Sequence, residues 1–212
     1  MHFEPIKNQK EPIRLFKSDF LEFFTHIHPV FVLAVWVPIV VFCLYQSILA
    51  GMQLGQLIWL PGILLAGLIL WTFSEYVLHR FVFHFPPRNA WQTRIAFLFH
   101  GIHHAQPQSK TRLVMPPIVS IPMAGVFFLL FRLIFGFSGQ QADFFVFGLF
   151  AAFIIGYLFY DMIHYITHHF TLRAQWLKNL KLYHMQHHYK TPDQRYGVSS
   201  PFWDVIFHTK PE

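Results

Sequence analysis

Charge and cysteine are both scarce in this chain of 212 residues. Asp, Glu, Lys and Arg make up 12% of it and hydrophobic residues 54%, whereas soluble domains carry about 25% charged residues. So little charge would leave a water-facing surface poorly covered, but it suits a lipid-facing one. The one cysteine, Cys43, lies inside an apolar run, which excludes a disulfide framework and a zinc–thiolate site. Acidic residues number 10 against 16 Lys and Arg, a net charge of +6. The basic residues fall into three separate segments and form no single patch, which argues against nucleic acid as a partner. The first twenty residues, MHFEPIKNQKEPIRLFKSDF, contain no apolar core segment, so no cleavable signal peptide is expected. Internal repeats and low-complexity tracts are also missing.

Long apolar runs, by contrast, are plentiful. Crossing a bilayer takes about 20 residues, and four stretches qualify: roughly 29–50, 57–78, 117–137 and 144–165. Short linkers, GMQLGQ and SGQQAD, join the first pair and the last pair. That spacing predicts two helical hairpins, an all-α membrane bundle of four helices. Pro122, near the start of the third stretch, is expected to kink it. Lys7, Lys10, Arg14 and Lys17 precede the first stretch; Arg80, Arg88, Arg94, Lys110 and Arg112 separate the second and third; Arg173, Lys178, Lys181, Lys190, Arg195 and Lys210 follow the fourth. Fifteen of the sixteen basic residues therefore share one side, Arg132 being the exception, and the positive-inside rule makes that side cytoplasmic. A soluble bundle of very apolar helices would need both the four lengths and the charge alternation to be accidental.

Histidine is abundant, at 15 residues, and its grouping is more telling than its number. His79 and His84 stand in LHRFVFH, His100, His103 and His104 in HGIHH, His164, His168 and His169 in DMIHYITHH, and His184, His187 and His188 in YHMQHH. All four clusters fall on the side that the basic residues mark or at its membrane boundary, and a histidine-rich helical cap is expected over 79–115 and 166–212 on a single domain of 1–212. Residues i, i+3 and i+4 share a helix face, so each H-x2-H-H triplet is expected to aim three imidazoles at one point, and His164 with His168 two more. His79 and His84, five apart, would diverge by about 140° on a regular helix, so they need a local distortion or different ions. Imidazole binds Zn, Cu, Fe and Ni. Ten imidazoles exceed one ion's capacity, and two ions with about five nitrogens each would use all of them. His2, His26, His28 and His208 stand apart and are read as interfacial or packing residues. Glu75, one turn before His79, and Asp161, three residues before His164, are expected to accept the outer N–H of ligand imidazoles. His169 is an outer candidate of the same kind, being turned away from its neighbour His168.

These motifs, H-x4-H, H-x2-H-H, H-x3-H and H-x2-H-H over four apolar spans, resemble the fatty acid hydroxylase superfamily, which includes sterol desaturases, methyl oxidases and carotenoid hydroxylases. EYVLHRFVFHF, FHGIHH, RLVMPP, YDMIHYITHH, LKLYHMQHHY and YGVSSPFWDVIF resemble the fatty acid 2-hydroxylase branch in particular. The resemblance implies O2-dependent hydroxylation at C2 of a fatty acyl chain, often one destined for sphingolipids. It implies a dimetal centre with iron active and zinc a frequent occupant in preparations, held by His79, His84, His100, His103, His104, His164, His168, His184, His187 and His188. Many relatives carry a fused b-type cytochrome with an HPGG motif. No such motif occurs here, so a separate donor, a b-type cytochrome or a ferredoxin with its reductase, is expected. Ser109 and Lys110 stand where an acid is common, and His208 where a small residue is usual. A bacterial inner membrane or the endoplasmic reticulum is the expected location. The alternatives are a sterol, carotenoid or alkane hydroxylase or desaturase of the same superfamily, and a metal-handling membrane protein without catalysis. Transport would call for ligands at mid-membrane, and these clusters lie at one face.

Overall fold

The computed structural model describes residues 12–211. Among them no strand occurs. The helices, in chain order, are α1 (Asp19–Phe23), α2 (Pro29–Leu54), α3 (Leu60–Val77), α4 (Ala90–Ala96), α5 (Ile102–Ala105), α6 (Pro117–Phe135), α7 (Gln140–His169), α8 (Gln175–Tyr189) and α9 (Phe202–Ile206). A 3-10 turn, Leu57–Trp59, leads into α3, and wide π-helical turns cover Leu78–Phe83 and Phe97–Gly101.

Four helical stretches are long and apolar enough to cross a membrane: Pro29–Leu54, Leu57–Phe83, Pro117–Phe135 and Gln140–His169. Both hairpins expected from the linkers are present, with different ends. The second stretch runs five residues past 78 because the π-helical turn continues it, and the fourth spans 30 residues. At 1.5 Å per residue that is about 45 Å, well beyond a hydrocarbon core of about 30 Å, so α7 has length to spare outside the lipid. α6 stops two residues short of 137 because Gly136 takes φ 103°, a conformation that only glycine adopts without strain. Pro117 occupies the first turn of α6, where its missing N–H costs nothing. The helix runs unbroken through Pro122, so the expected kink does not interrupt α6.

The chain divides into two compact units. One comprises Val30–Trp71 and Met115–Phe159; the other comprises Met1–Pro29, Thr72–Val114 and Tyr160–Glu212. In the first unit, the α7 residues Gly148, Ala152 and Gly156 recur every four positions and line one face. A Cβ on Gly156 would lie 2.6 Å from the Trp71 ring, and one on Gly67 of α3 2.5 Å from the Leu149 carbonyl. Small residues thus let the α3 and α7 backbones approach closely, the usual means of packing helices in lipid. Trp36 and Ser47, both buried, are paired: Trp36 donates to Ser120 Oγ at 3.2 Å, and Ser47 donates to the Phe144 carbonyl at 2.8 Å. Arg132, the basic residue on the other side, forms an ion pair with Asp143 at 2.7 Å and lies over the Phe128 and Phe147 rings. Pairing is what makes a charge tolerable at a span's end.

In the second unit, Ser18 caps α1 and Asn89 caps α4 through their side-chain oxygens. Arg112 ties the segment before α2 in place by donating to Glu22, to the Ile13 carbonyl and to His26 Nε2. The His26 Nδ1 meets Thr111 Oγ1 at 2.8 Å. This histidine is therefore a packing residue, as its isolated position in the sequence implied.

Candidate metal centre

Every histidine of the four clusters except His169 falls into one of two groups of five. His79, His84, His100, His104 and His187 form the first; His103, His164, His168, His184 and His188 form the second. Within each group one nitrogen per ring lies within 4.8 Å of all the others. Nine of the ten residues are buried, and His84 is half-buried.

Local helix geometry explains the partition. The π-helical turn Leu78–Phe83 carries an i→i+5 bond, with the His84 N–H donating to the His79 carbonyl at 3.1 Å. That wide turn brings residues five apart onto one face, which a regular α-helix would not do. His79 and His84 consequently share a group, and the distortion is the one their spacing demands. The two H-x2-H-H triplets behave differently from expectation. Neither aims three rings at one point. His100 and His104 enter the first group and His103 the second; His184 and His188 enter the second and His187 the first. The i, i+4 pair stays together, whereas the i+3 residue, adjacent to i+4 and about 100° round the helix from it, turns to the other group. Each triplet thus supplies both groups. His164 and His168, an i, i+4 pair on α7, stay together.

In the first group the Nε2 atoms of His79 and His100 lie 3.0 Å apart, those of His100 and His104 3.1 Å, and those of His84 and His187 3.1 Å. In the second, His103 and His164 are at 2.9 Å, His168 and His184 at 2.9 Å, and His184 and His188 at 3.0 Å. Two nitrogens bound at right angles to one ion at about 2.0–2.1 Å would be about 2.9 Å apart. The spacing is that of ligands around a common centre. Protonation states agree with this. His79 donates from Nδ1 to the Tyr196 carbonyl, and His187 from Nδ1 to the Gln194 carbonyl at 2.7 Å. With Nδ1 protonated, Nε2 of each ring presents a lone pair inward. Burial, and after it the neighbouring imidazoles, holds His84, His100, His103, His184 and His188 below the ordinary histidine pKa. Burial does the same for His187, against a smaller opposing pull from its Gln194 bond. Neutral imidazole is the ligating form. Five inward lone pairs in a dry pocket are a poor arrangement without a cation, and the all-nitrogen donor set suits Zn, Cu, Fe or Ni. The residues fit two metal ions.

Glu75 and His169 are placed otherwise than expected, and Asp161 does not serve its neighbour in sequence. Glu75 accepts no imidazole N–H. Its Oε1 takes the backbone N–H groups of Val198 and Ser199 at 2.7 and 2.8 Å, and its Oε2 takes the Ser199 hydroxyl. Adjacent backbone donors saturate the carboxylate. Asp161 is buried, but the Nδ1 of His164, three residues on, has no hydrogen-bond partner, so Asp161 does not hold that ring. His169 belongs to neither group; its ring lies against Tyr165, centroids 4.6 Å apart. Sequence reasoning missed the acceptors that do orient ligand rings, the carbonyls of Gln194 and Tyr196, because backbone oxygens carry no side-chain signal. It also missed Asp204, fully buried and bound to Tyr196 N–H, Gly197 N–H and Thr209. A lone acid in the otherwise apolar PFWDVIF was the available clue. His28 and His208 join neither group, and His2 lies outside the described residues.

Fold and site together define a class: a multi-pass helical membrane protein with two buried, all-imidazole clusters. The chain belongs to the fatty acid hydroxylase family, whose sequence signature matches residues 64–209. It is 37% identical over 208 residues to the dihydroceramide fatty acyl 2-hydroxylase FAH1 of Arabidopsis thaliana, a match that covers 98% of this chain and 84% of that protein. To the fatty acid 2-hydroxylase of Mus musculus it is 34% identical over 216 residues, covering 93% of this chain and 56% of that one. Here the chain spans about half the relative's length. A solved structure of full-length scs7p, in which only the hydroxylase domain is visible, matches with a TM-score of 0.81 at 34% identity, over 93% of this chain and 72% of that one. The family resemblance read from the histidine motifs therefore holds.

Proposed function

We propose that this protein is a membrane-bound oxygenase that hydroxylates a lipid acyl chain at C2, with iron held by the ten histidines. One observation carries the reading: ten imidazoles from four separate parts of the chain gather into two buried groups of five. The names of the relatives support acyl 2-hydroxylation. The overall reaction is R–H + O2 + 2e− + 2H+ → R–OH + H2O. Bound iron would supply the redox chemistry that couples O2 reduction to cleavage of an unactivated C–H bond; Zn2+ is redox-inert and would not. The chain's own residues supply the rest. Buried neutral imidazoles offer nitrogen lone pairs, the Tyr196 and Gln194 carbonyls keep two rings turned inward, and burial keeps bulk water out of both groups. Electrons reach the site from a donor protein. The substrate is an acyl lipid taken from the bilayer. A cleft in the Val30–Trp71 and Met115–Phe159 unit, lined mainly by Trp71, Met123, Phe127, Phe153 and Tyr157, has the apolar chemistry that suits an alkyl chain. Fifteen of sixteen basic residues on one side favour a cytoplasmic metal site, in a bacterial inner membrane or the endoplasmic reticulum.

Lipid mass spectrometry of cells expressing the wild type or His104→Ala tests this. Expected are 2-hydroxyacyl lipids with the wild type and none above background with the variant. Hydroxylated sterols or carotenoids instead would move the protein elsewhere in the superfamily. No new oxygenated lipid in the presence of bound iron and reductant would contradict the reading.

A further inference from the structure

Both carbonyls that orient ligand rings lie in one irregular loop, between α8 and α9. The loop is held by two buried carboxylates, Asp204 close by in sequence and Glu75 more than 120 residues upstream. Asp204 Oδ1 accepts the Tyr196 N–H at 2.8 Å and the Thr209 hydroxyl at 2.7 Å, and Oδ2 accepts the Gly197 N–H at 2.7 Å. Glu75 accepts the next two N–H groups, those of Val198 and Ser199. Four successive backbone donors, 196–199, thus end on two carboxylates. The loop is tight: a Cβ on Gly197 would lie 2.0 Å from the Ser200 carbonyl oxygen. Arg195 adopts φ 59° and donates its N–H to the Thr209 carbonyl at 3.0 Å. Four of the five rings in the second histidine group have no such support. The Nδ1 atoms of His164, His168, His184 and His188 make no hydrogen bond.

We infer that Asp204 and Glu75 are positioning residues for one of the two metal ions only, the one assigned to His79, His84, His100, His104 and His187. This rests on the two-ion reading above. The carboxylates fix the loop, the loop fixes the Tyr196 and Gln194 carbonyls, and those carbonyls fix the His79 and His187 rings. Partners of this kind typically change metal affinity by about 10- to 100-fold when lost. The two carboxylates differ in what an amide can replace. Asn at 204 keeps one oxygen, but its NH2 must face a backbone N–H, setting donor against donor. Gln at 75 can keep both backbone N–H groups on its oxygen and donate its NH2 to the Ser199 hydroxyl, which accepts as readily as it donates.

The test is chelator extraction from the full-length protein in nanodiscs, loaded anaerobically with Fe2+ and followed by the absorbance of the iron–chelator complex. His84→Ala and His184→Ala assign the two release phases. Asp204→Asn is expected to speed the first-group phase by about 10- to 100-fold while the second-group phase stays within about twofold of wild type. Glu75→Ala should act in the same direction, Glu75→Gln should restore near-wild-type release, and Thr209→Val should give a smaller shift in the first phase only. The unmoved second phase reports that the variant is folded. Equal acceleration of both phases, a shift confined to the second, or no shift overturns the inference. If Asp204→Asn does not fold, Glu75→Ala, Glu75→Gln and Thr209→Val decide by the same criteria. A wild type that retains fewer than two ions would contradict the two-ion reading itself, a result distinct from two retained ions that respond alike.

Discussion

The two histidine groups use the same side chain in the same number, yet they hold their rings by different means. In the first, two rings come from the wide turn Leu78–Phe83 and its end, and two of the five are steered by loop carbonyls. In the second, four of the five rings stand as i, i+4 pairs on α7 and α8, and their outer nitrogens have no partner. Helix rigidity does in one group what hydrogen bonding to a clamped loop does in the other. A buried Nδ1–H without an acceptor is costly, so the second group trades some stability for independence from the C-terminal loop.

The largest effect expected is loss of a ligand from either group. His79→Ala and His164→Ala should each bring hydroxylated product to background and lower bound iron from two ions to one per chain, read by elemental analysis beside lipid mass spectrometry. A variant that keeps full activity on one ion would break the symmetry of need between the groups. Acid comes next. His84, His100, His103, His184, His187 and His188 bind protons more weakly in the fold than their ordinary value of 6.5. Their lowered values favour the fold above that pH, and the contribution is lost as pH falls below it, because the unfolded chain takes up the protons first. Melting of the metal-free protein should therefore fall steeply between about pH 7 and 5, and loaded iron should push the fall to lower pH because metal and protons compete for Nε2. A flat profile would mean the groups are open to water. A smaller effect should separate the groups: Leu182→Gly on the exposed face of α8 costs about 1 kcal/mol of helix stability. It should speed release of the second-group ion, which draws two ligands from α8, more than that of the first, which draws one. Smallest of all, Asp143→Asn removes a partly exposed ion pair in the other unit. It should cost less than about 1 kcal/mol in melting and leave both release phases unchanged.

The spans were legible because hydrophobic length and charge placement are properties of composition. Gathering ten histidines was legible because the clusters share one side of the topology. Dividing them was not. Residues i, i+3 and i+4 do share a face, but that rule ignores the turn between His103 and His104, which suffices to send adjacent rings to different groups. The five-residue step from His79 to His84 signalled a distortion, and the π-helical turn supplied it. Glu75 was read from its nearness in sequence to His79, whereas its partners, Val198 and Ser199, are more than 120 residues away. Loop backbone that supplies acceptors, such as Tyr196 and Gln194, leaves no trace in a side-chain pattern.

Oxygen tracing tests the central claim most directly. Iron-loaded protein, an acyl lipid, a reductant system and 18O2 should yield a product whose C2 hydroxyl carries 18O, with none from zinc-loaded protein. A hydroxyl labelled from water, or no 18O on any lipid despite two bound irons, would contradict it.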